Sequence, residues 1–441
     1  MSIAEFFLLE TLLWELAERR LAGKYIRKYQ PFPLPTQDER LFNTSDVSII
    51  VPTINWNPAT FPRAIVSWLS NRPLEIIIVT PDNQRPQLVE FLENDELIDD
   101  ARDDDPDINI WTGSIPFANK RCQLVAGITL AKGRILALVD DDAIWNADTL
   151  LNLLAPFQQP EIGLVGGPIE SYVPEERQDA SVISAYEVAA LRNRSKRRGG
   201  NKAFFVRDGS TNFTVSGATM LVRAMIVQEP DFQNAFMYEK FAGVRQTSGD
   251  DSFITRWVLF QHLQPNRPWR YQWRLGMQLT PEATVLTTLM TDRRFIDQMK
   301  RWLRTGLRFR LICLFRDPGF WNFRRTTPYM CRKMLEGLYN PILNVCWYFA
   351  FFTTLGRTPL LAIPIALYYF YGLVSGTMAF LREFPYCRRK FYAAVLADKI
   401  TIVSDFYSWA TLFVENWSSR YGADQPAAEQ PAARRVLDLD E

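Results

Sequence analysis

The chain has 441 residues, room for one large catalytic domain with a membrane-associated part, although length alone also admits two or three domains. Its 50 Lys and Arg against 49 Asp and Glu leave a formal charge of +1, so no global field draws it to nucleic acid, and one histidine, His262, gives a Ser-His-Asp triad or a His-rich metal site almost nothing to build on. Five scattered cysteines (Cys122, Cys313, Cys331, Cys346 and Cys387) are an odd count without ligand spacing, which argues for buried thiols rather than a disulfide framework, and leaves carboxylates to carry any catalysis.

From the N-terminus, Phe6 to Leu16 is apolar but broken by Glu10 and Glu15, too short and too charged to span a bilayer or to read as a cleaved signal. An interfacial or packing helix is expected there. The run Gln30-Pro31-Phe32-Pro33-Leu34-Pro35 cannot continue a helix, because each proline lacks an amide donor and disfavours helical geometry in the residue before it. A domain boundary is placed near Ser45.

The pattern then alternates. Short β-branched runs at Val47 to Val51, Leu74 to Val79, Ile108 to Trp111 and Arg134 to Val139 read as buried parallel strands. Helical stretches at Phe61 to Ser70, Gln84 to Glu93 and Asn119 to Ala131 separate them, as in a doubly wound α/β sheet. Such sheets bind ligands beyond the carboxyl ends of their strands, where this chain has Pro52-Thr53, Pro81-Asp82 and Asp140-Asp141-Asp142.

Each polar cluster has a functional and a plain reading. Asn119-Lys120-Arg121 begins a helix whose free amides and cations suit phosphates; a solvated basic helix start explains it equally well. Three adjacent carboxylates at Asp140 to Asp142 repel one another unless a cation or ligand compensates, and hard oxygen ligands favour Mg2+ or Mn2+; the plain alternative is an acidic helix cap, with Asp142 opening a helix through Asn146. Gly249-Asp250-Asp251-Ser252 precedes the amphipathic run Phe253, Ile254, Trp257, Val258 and reads as the first turn of a helix. One of its carboxylates is suited to take a proton from an acceptor hydroxyl, and helix capping alone explains the pair as well. Gln298-Met299-Lys300-Arg301-Trp302 lies on a basic helix continuing through Arg304, Arg308 and Arg310. That helix is suited to a membrane surface; Trp302 can also stack on a sugar and Arg301 pair with phosphate.

Toward the C-terminus, Tyr339 to Gly356 and Thr358 to Leu381 are apolar segments of roughly the ~20 residues a bilayer requires. Arg357 alone occupies the connection, whereas Arg332 and Lys333 precede the pair and Arg382, Arg388, Arg389 and Lys390 follow it; the positive-inside rule then puts both ends, and the catalytic domain, in the cytosol. A third stretch, Phe391 to Phe413, carries Asp398, Lys399 and Asp405, costly at a bilayer centre, and is interfacial or lines a polar path. The Ala-, Pro- and Gln-rich tail has too little apolar surface to offset its ordering entropy. The expected organisation is thus a helix and Pro-rich linker at 1–44, a catalytic domain at 45–292, amphipathic interfacial helices at 293–338, a transmembrane region at 339–420 and a disordered tail at 421–441.

In order, Val51-Pro52-Thr53, Asp140-Asp141-Asp142, Gly249-Asp250-Asp251 and Gln298-Met299-Lys300-Arg301-Trp302 resemble the blocks of the processive membrane synthases of glycosyltransferase family 2, which include hyaluronan, chitin and cellulose synthases. Within that family the chain is most similar to the fungal polysaccharide synthases, whose catalytic domain begins after a Pro-rich segment like Tyr29 to Pro35. The resemblance implies a nucleotide-sugar-binding α/β mixed sheet of the glycosyltransferase A type, with C-terminal transmembrane and interfacial helices. It implies a membrane-bound inverting transferase that moves a sugar from a nucleotide sugar, a UDP-sugar by preference, to a growing polysaccharide, in the plasma membrane or Golgi. By motif, Pro52, Thr53, Asp82, Lys120, Arg121, Asp140 and Asp141 would meet the nucleotide sugar, Asp140 and Asp142 a Mg2+ or Mn2+ ion, and Ser216, Gly217, Gln298, Arg301 and Trp302 the acceptor. Asp251, with Asp250, would be catalytic. Membrane lipid and a glycan acceptor are the implied partners. Two departures stand out: Thr80-Pro81-Asp82 replaces the usual Asp-Asp after the second strand, and no N-terminal transmembrane helix is visible. Single transfer to a lipid or protein acceptor, or a silent membrane scaffold, are the alternatives.

Overall fold

The computed structural model describes residues 1–103, 108–196, 199–264 and 271–415. The expected disordered tail at 421–441 and the side chains of Asp398 and Lys399 lie outside the described residues.

The expected strand and helix alternation becomes a seven-stranded sheet. Its order across the sheet is Arg274–Met277, Ile162–Gly166, Thr219–Arg223, Ile135–Val139, Val47–Pro52, Glu75–Pro81, Asn109–Ile115. Val47–Pro52 pairs in parallel with both Glu75–Pro81 and Ile135–Val139, and Thr219–Arg223 runs antiparallel between Ile135–Val139 and Ile162–Gly166, so the sheet is mixed. Consecutive side chains of a strand point to opposite faces, and here both faces are apolar. Ile49, Val51, Ile76 and Ile78 enter one core with Phe61, Ile65 and Trp68, while Ile50, Ile77, Val79 and Leu138 enter the other with Phe232, Phe253 and Trp257. A strand buried on both faces reads as a continuous apolar run, which is why Val47–Pro52, Glu75–Pro81 and Ile135–Val139 are visible in the sequence; Asn109–Ile115, expected to be buried, is exposed or half-buried over its first four residues because it forms the sheet edge.

Val47–Pro52 and Ile135–Val139 are neighbours whose helical connections lie on opposite faces of the sheet: the Phe61 helix that follows the first is in one core, and the Lys120–Leu130 helix that precedes the second is in the other. That is the crevice where open α/β sheets take ligands. A second, three-stranded sheet of Ala143–Trp145, Val285–Thr288 and Ile169–Tyr172 lies beyond it. Its first strand corrects the acidic-cap alternative: the chain after Asp142 turns into a strand, because the Ala143 amide bonds back to the Asp140 carbonyl at 3.0 Å.

The N-terminal helix Ile3–Ile26 is a packing helix. Leu8 is buried with Ala350 and Ile365, and Glu18 lies 2.9 Å from Arg332 and 2.8 Å from Lys333. The Pro-rich linker is pinned beside Arg274–Met277, where Tyr29 Oη donates to the Met277 carbonyl (2.7 Å) and accepts from the Leu279 amide (2.8 Å).

The C-terminal part is helical, with Arg294–Phe315, Pro328–Arg357, Pro359–Glu383 and Phe391–Ala410. Of the two expected spans, one described helix, Pro359–Glu383, is long and apolar enough to cross a membrane. The first carries Asn340, Pro341 and Asn344 inside its apolar half, which lowers its hydropathy. The basic helix also differs from the expected surface element: Arg304 and Arg308 are each 4% exposed, because they turn toward the protein interior.

Candidate active site

One cavity of about 1170 Å3 opens at the crevice. It exceeds the roughly 300–1,000 Å3 of an ordinary small-molecule or cofactor site. Asp142 and Asp251, remote in sequence, both line it, as do Gln298, Arg301 and Trp302 from the basic helix.

The cavity floor is built from the ends of two strands. After Pro52, the Thr53 amide continues the ladder to the Val79 carbonyl (2.9 Å), and Gln123 Nε2 ties the carbonyls of Thr53 and Val79 together, 2.8 Å from each. Thr53 Oγ1 donates to Asp141 Oδ2 at 2.6 Å. Asp141 is therefore buried at the base of the wall, and the three adjacent carboxylates avoid one another by pointing to three partners. Asp140 Oδ1 faces Lys120 Nζ at 2.8 Å, and Asp142 Oδ2 accepts from Thr288 Oγ1 at 3.0 Å.

Lys120 opens its helix after the cap residue Asn119, whose side chain accepts from the Cys122 amide at 3.1 Å. Its ammonium is also 2.8 Å from Asp250 Oδ2. Burial opposes the charge on Lys120, but the charges of Asp140 and Asp250 outweigh it and raise its pKa. The neighbouring Arg121 corrects the phosphate expectation. It is 1% exposed, outside the cavity wall, and donates to the carbonyls of Phe236 (2.9 Å) and Ser248 (2.8 Å) and to Glu239 (3.0 Å). Successive helical residues are rotated by about a quarter turn or more, and here that rotation carries Arg121 from the cavity wall into the core. Asp82, expected to meet the nucleotide sugar, is likewise outside the wall, exposed at the start of a short 3-10 turn.

Gly249 precedes the helix Asp250–Phe260 with φ +72, a conformation that glycine adopts without a Cβ penalty. It delivers two consecutive carboxylates into different surroundings. Burial raises the Asp250 carboxyl, but the charge and hydrogen bond of Lys120 prevail and hold it below the ordinary Asp value. Asp251 is pushed up to about 6, by burial first and then by the negative charge of Asp250, although the Ser252 amide donates to it at 2.7 Å. Neighbouring carboxyls whose pKa values are driven apart are the arrangement from which an ionised electrostatic group and a near-neutral base arise. Ser216 and Gly217 complete this wall. The Val215 amide donates to Thr255 Oγ1 (3.0 Å), which donates to the Asp251 carbonyl (2.8 Å), and a Cβ on Gly217 would stand 3.3 Å from Asp251 Cβ.

Among the described residues no group of three His, Cys, Asp or Glu side chains is arranged to hold a metal. Mg2+ is characteristically held by one or two carboxylates plus substrate phosphates rather than by an all-protein cage. Asp140 and Asp142, both on the cavity wall, fit that donor set. Gln123, Thr288 and the Lys120 bridge were missed by sequence reasoning; only Gln123, an amide inside an otherwise apolar helix, left a local signal.

The profile of the family described as glycosyltransferase like family 2 matches residues 45–305. The chain is 33% identical over 411 residues to the NDP-glycosyltransferase ltbB of Aspergillus luteorubrus, covering 92% of this chain and 95% of that one. It is 31% identical over 303 residues to a type 2 glycosyltransferase of Zymoseptoria tritici, covering 69% of this chain and 58% of that protein, so it spans less than two thirds of that relative's length. Among solved structures it is similar to S. aureus TarS 1-349, with a TM-score of 0.39 and 13% identity, covering 80% of this chain and 90% of that one.

Proposed function

The chain belongs to glycosyltransferase family 2 and is a transferase enzyme, and from that premise we propose that it moves a sugar from a nucleotide sugar, a UDP-sugar by preference, onto a growing polysaccharide by a single inverting displacement. One observation carries the reading: the carboxylates of Asp140, Asp142, Asp250 and Asp251 and the side chains of Gln298, Arg301 and Trp302, drawn from three separate stretches of sequence, line one cavity. The names of the relatives, an NDP-glycosyltransferase among them, agree with a nucleotide-sugar donor.

In this mechanism Asp251 takes the proton from the acceptor hydroxyl as it attacks the anomeric carbon from the face opposite the leaving diphosphate. A base with a pKa near 6 is ionised at neutral pH and still basic enough to accept. Asp140 and Asp142 would hold Mg2+ or Mn2+, which when bound would neutralise charge on the leaving diphosphate. Lys120 holds Asp140 and Asp250 in place and keeps Asp250 ionised. Pro52, Thr53 and Asp141 form the floor under the donor; Ser216 and Gly217 leave room for the acceptor beside Asp251. Trp302 offers a ring face to a sugar, and Arg301 a cation to phosphate. The apolar helix Pro359–Glu383 supports membrane attachment, and the distribution of Arg and Lys supports a cytosolic site.

The test is turnover of a panel of labelled nucleotide sugars by membranes bearing the native chain, with Mn2+ or Mg2+, followed by sizing of the product. A polymer made by the native chain and absent with Asp251→Asn is the expected result. Equal yield from both would remove Asp251 from its role, and a product with one added sugar would replace polymer synthesis by single transfer to a lipid or protein acceptor. Absence of donor binding to the native chain would favour the scaffold.

A further inference from the structure

The turn that presents Asp250 and Asp251 is held from two sides. Arg121 takes its carbonyls, 2.8 Å from Ser248 O and 3.2 Å from Gly249 O. Its donors go to a residue at the other end of the chain. Glu415 Oε1 accepts from the Thr247 amide (2.9 Å), Thr247 Oγ1 (2.8 Å), the Ser248 amide (3.0 Å) and Ser248 Oγ (3.1 Å). The second carboxylate oxygen, Oε2, pairs with Arg308 on the helix that carries Gln298, Arg301 and Trp302. Arg308 is buried and also donates to Gln246 Oε1 (3.1 Å) and to the carbonyls of Leu412 (2.9 Å) and Val414 (2.7 Å). Nearby, Phe413 stacks on Phe241 with centroids 6.3 Å apart.

We propose that Glu415, fixed by Arg308, is a positioning residue for sugar transfer, which sets the Thr247–Gly249 turn and through it the orientation of Asp250 and Asp251. The inference rests on the transferase mechanism above. Four donors of one turn converge on one oxygen, which restrains both its backbone and its side chains, and the next residue but one is Asp250. Burial raises the Glu415 carboxyl, but Arg308 and the turn's amides hold it below the ordinary Glu value, so it carries its charge at neutral pH. The same latch joins the helix bearing Trp302 to the segment that follows Phe391–Ala410, so the acceptor side and the base are set by one network. A misplacement of about 1 Å at a reacting group costs on the order of a hundredfold in rate, whereas the cavity floor at Pro52, Thr53 and Asp141, held by the Thr53–Asp141 hydrogen bond, is not bonded to the Glu415 network.

The test uses the full chain in membranes or detergent, with Glu415→Ala and Glu415→Gln compared with the native protein. Measured are kcat, the donor KM, the pH profile of kcat and binding of the free nucleoside diphosphate. Glu415→Ala is expected to lower kcat by about 10- to 100-fold and to move the acid limb of the pH profile, with donor KM and diphosphate affinity within about threefold of native. Glu415→Gln keeps an acceptor oxygen for the turn but loses the charge facing Arg308, and should fall about three- to tenfold in kcat alone. Should Glu415→Ala fail to fold, Glu415→Gln decides by the same criteria. Values of kcat within about twofold of native for every variant that folds, or kcat and diphosphate affinity falling together, would overturn the proposal while leaving the mechanism standing. A native chain that transfers nothing would end both.

Discussion

Lys120 Nζ and Asp250 Oδ2 lie 2.8 Å apart, the first residues of two helices meeting at the cavity wall. The same ammonium is 2.8 Å from Asp140, so one cation serves the first carboxylate of the strand-end cluster and the first of the Gly249 turn. Asp251, one residue further on, receives the Ser252 amide and hydroxyl instead, and this division of partners separates the two acids chemically.

If Asp251 is the base, transfer requires its ionised form. With a pKa of about 6, kcat should be flat above neutrality and fall about tenfold for each pH unit well below that value. Initial rates at saturating donor from about pH 5 to about pH 8 measure this; a flat profile through that range would assign the proton to another group.

Lys120→Met removes the charge that lowers both Asp250 and Asp251. The acid limb should then move to higher pH, and the fold should lose about 3 kcal/mol because Asp140 and Asp250 are left facing each other uncompensated. Denaturant unfolding and the pH profile together check it, and an acid limb that stays in place would show that the ammonium does not tune the base.

Gly249→Ala meets two obstacles, a φ of +72 and a Cβ 2.7 Å from Thr305 Cγ2. A loss of about 1–2 kcal/mol is expected from the backbone conformation alone, with a larger proportional fall in kcat. Adding Thr305→Ser removes the obstructing methyl and retains the hydroxyl that donates to Ser248 Oγ. Partial recovery of stability in the double variant separates the steric part from the conformational part.

Glu239 lies among Arg121 (3.0 Å), Arg256 (2.5 Å) and Arg316 (3.3 Å). Burial raises its carboxyl, but Arg256 and Arg121 prevail and hold it at about 2, below the ordinary Glu value of 4.5. A depressed folded-state pKa means that the unfolded chain binds the proton first as pH falls. The stabilisation is therefore full above 4.5 and is lost as pH falls through about 2. Glu239→Gln should cost about 3–5 kcal/mol at neutral pH and flatten the stability profile across that acid window, as followed by denaturant unfolding.

Chelation of divalent cations should abolish transfer, with Mn2+ or Mg2+ restoring it. Asp142→Asn should raise the cation concentration needed by about 10- to 100-fold. A titration of activity against free metal reads this directly, and unchanged half-saturation would remove Asp142 from the donor set.

The sequence by itself determined the alternation of the first four strands with their helices, since the three buried on both faces are written as unbroken apolar runs such as Ile76-Ile77-Ile78-Val79 and the edge strand Asn109–Ile115 is still marked by Ile108, Ile110 and Trp111. It also displayed the four polar blocks, because each is a run of adjacent residues, three of them at the end of a strand or the start of a helix and Gln298 to Trp302 inside one. Ile162–Gly166, Thr219–Arg223 and Arg274–Met277 were not legible, being short and placed in the sheet by partners more than fifty residues away. Only the tertiary structure decided what each side chain does. It turned Lys120 into the cavity and Arg121 into the core, left Asp82 at the surface, and brought Glu415 to Thr247. The physical reason is that periodicity and composition are local properties of the chain, whereas the partner of a charge is chosen by which distant segments pack against it.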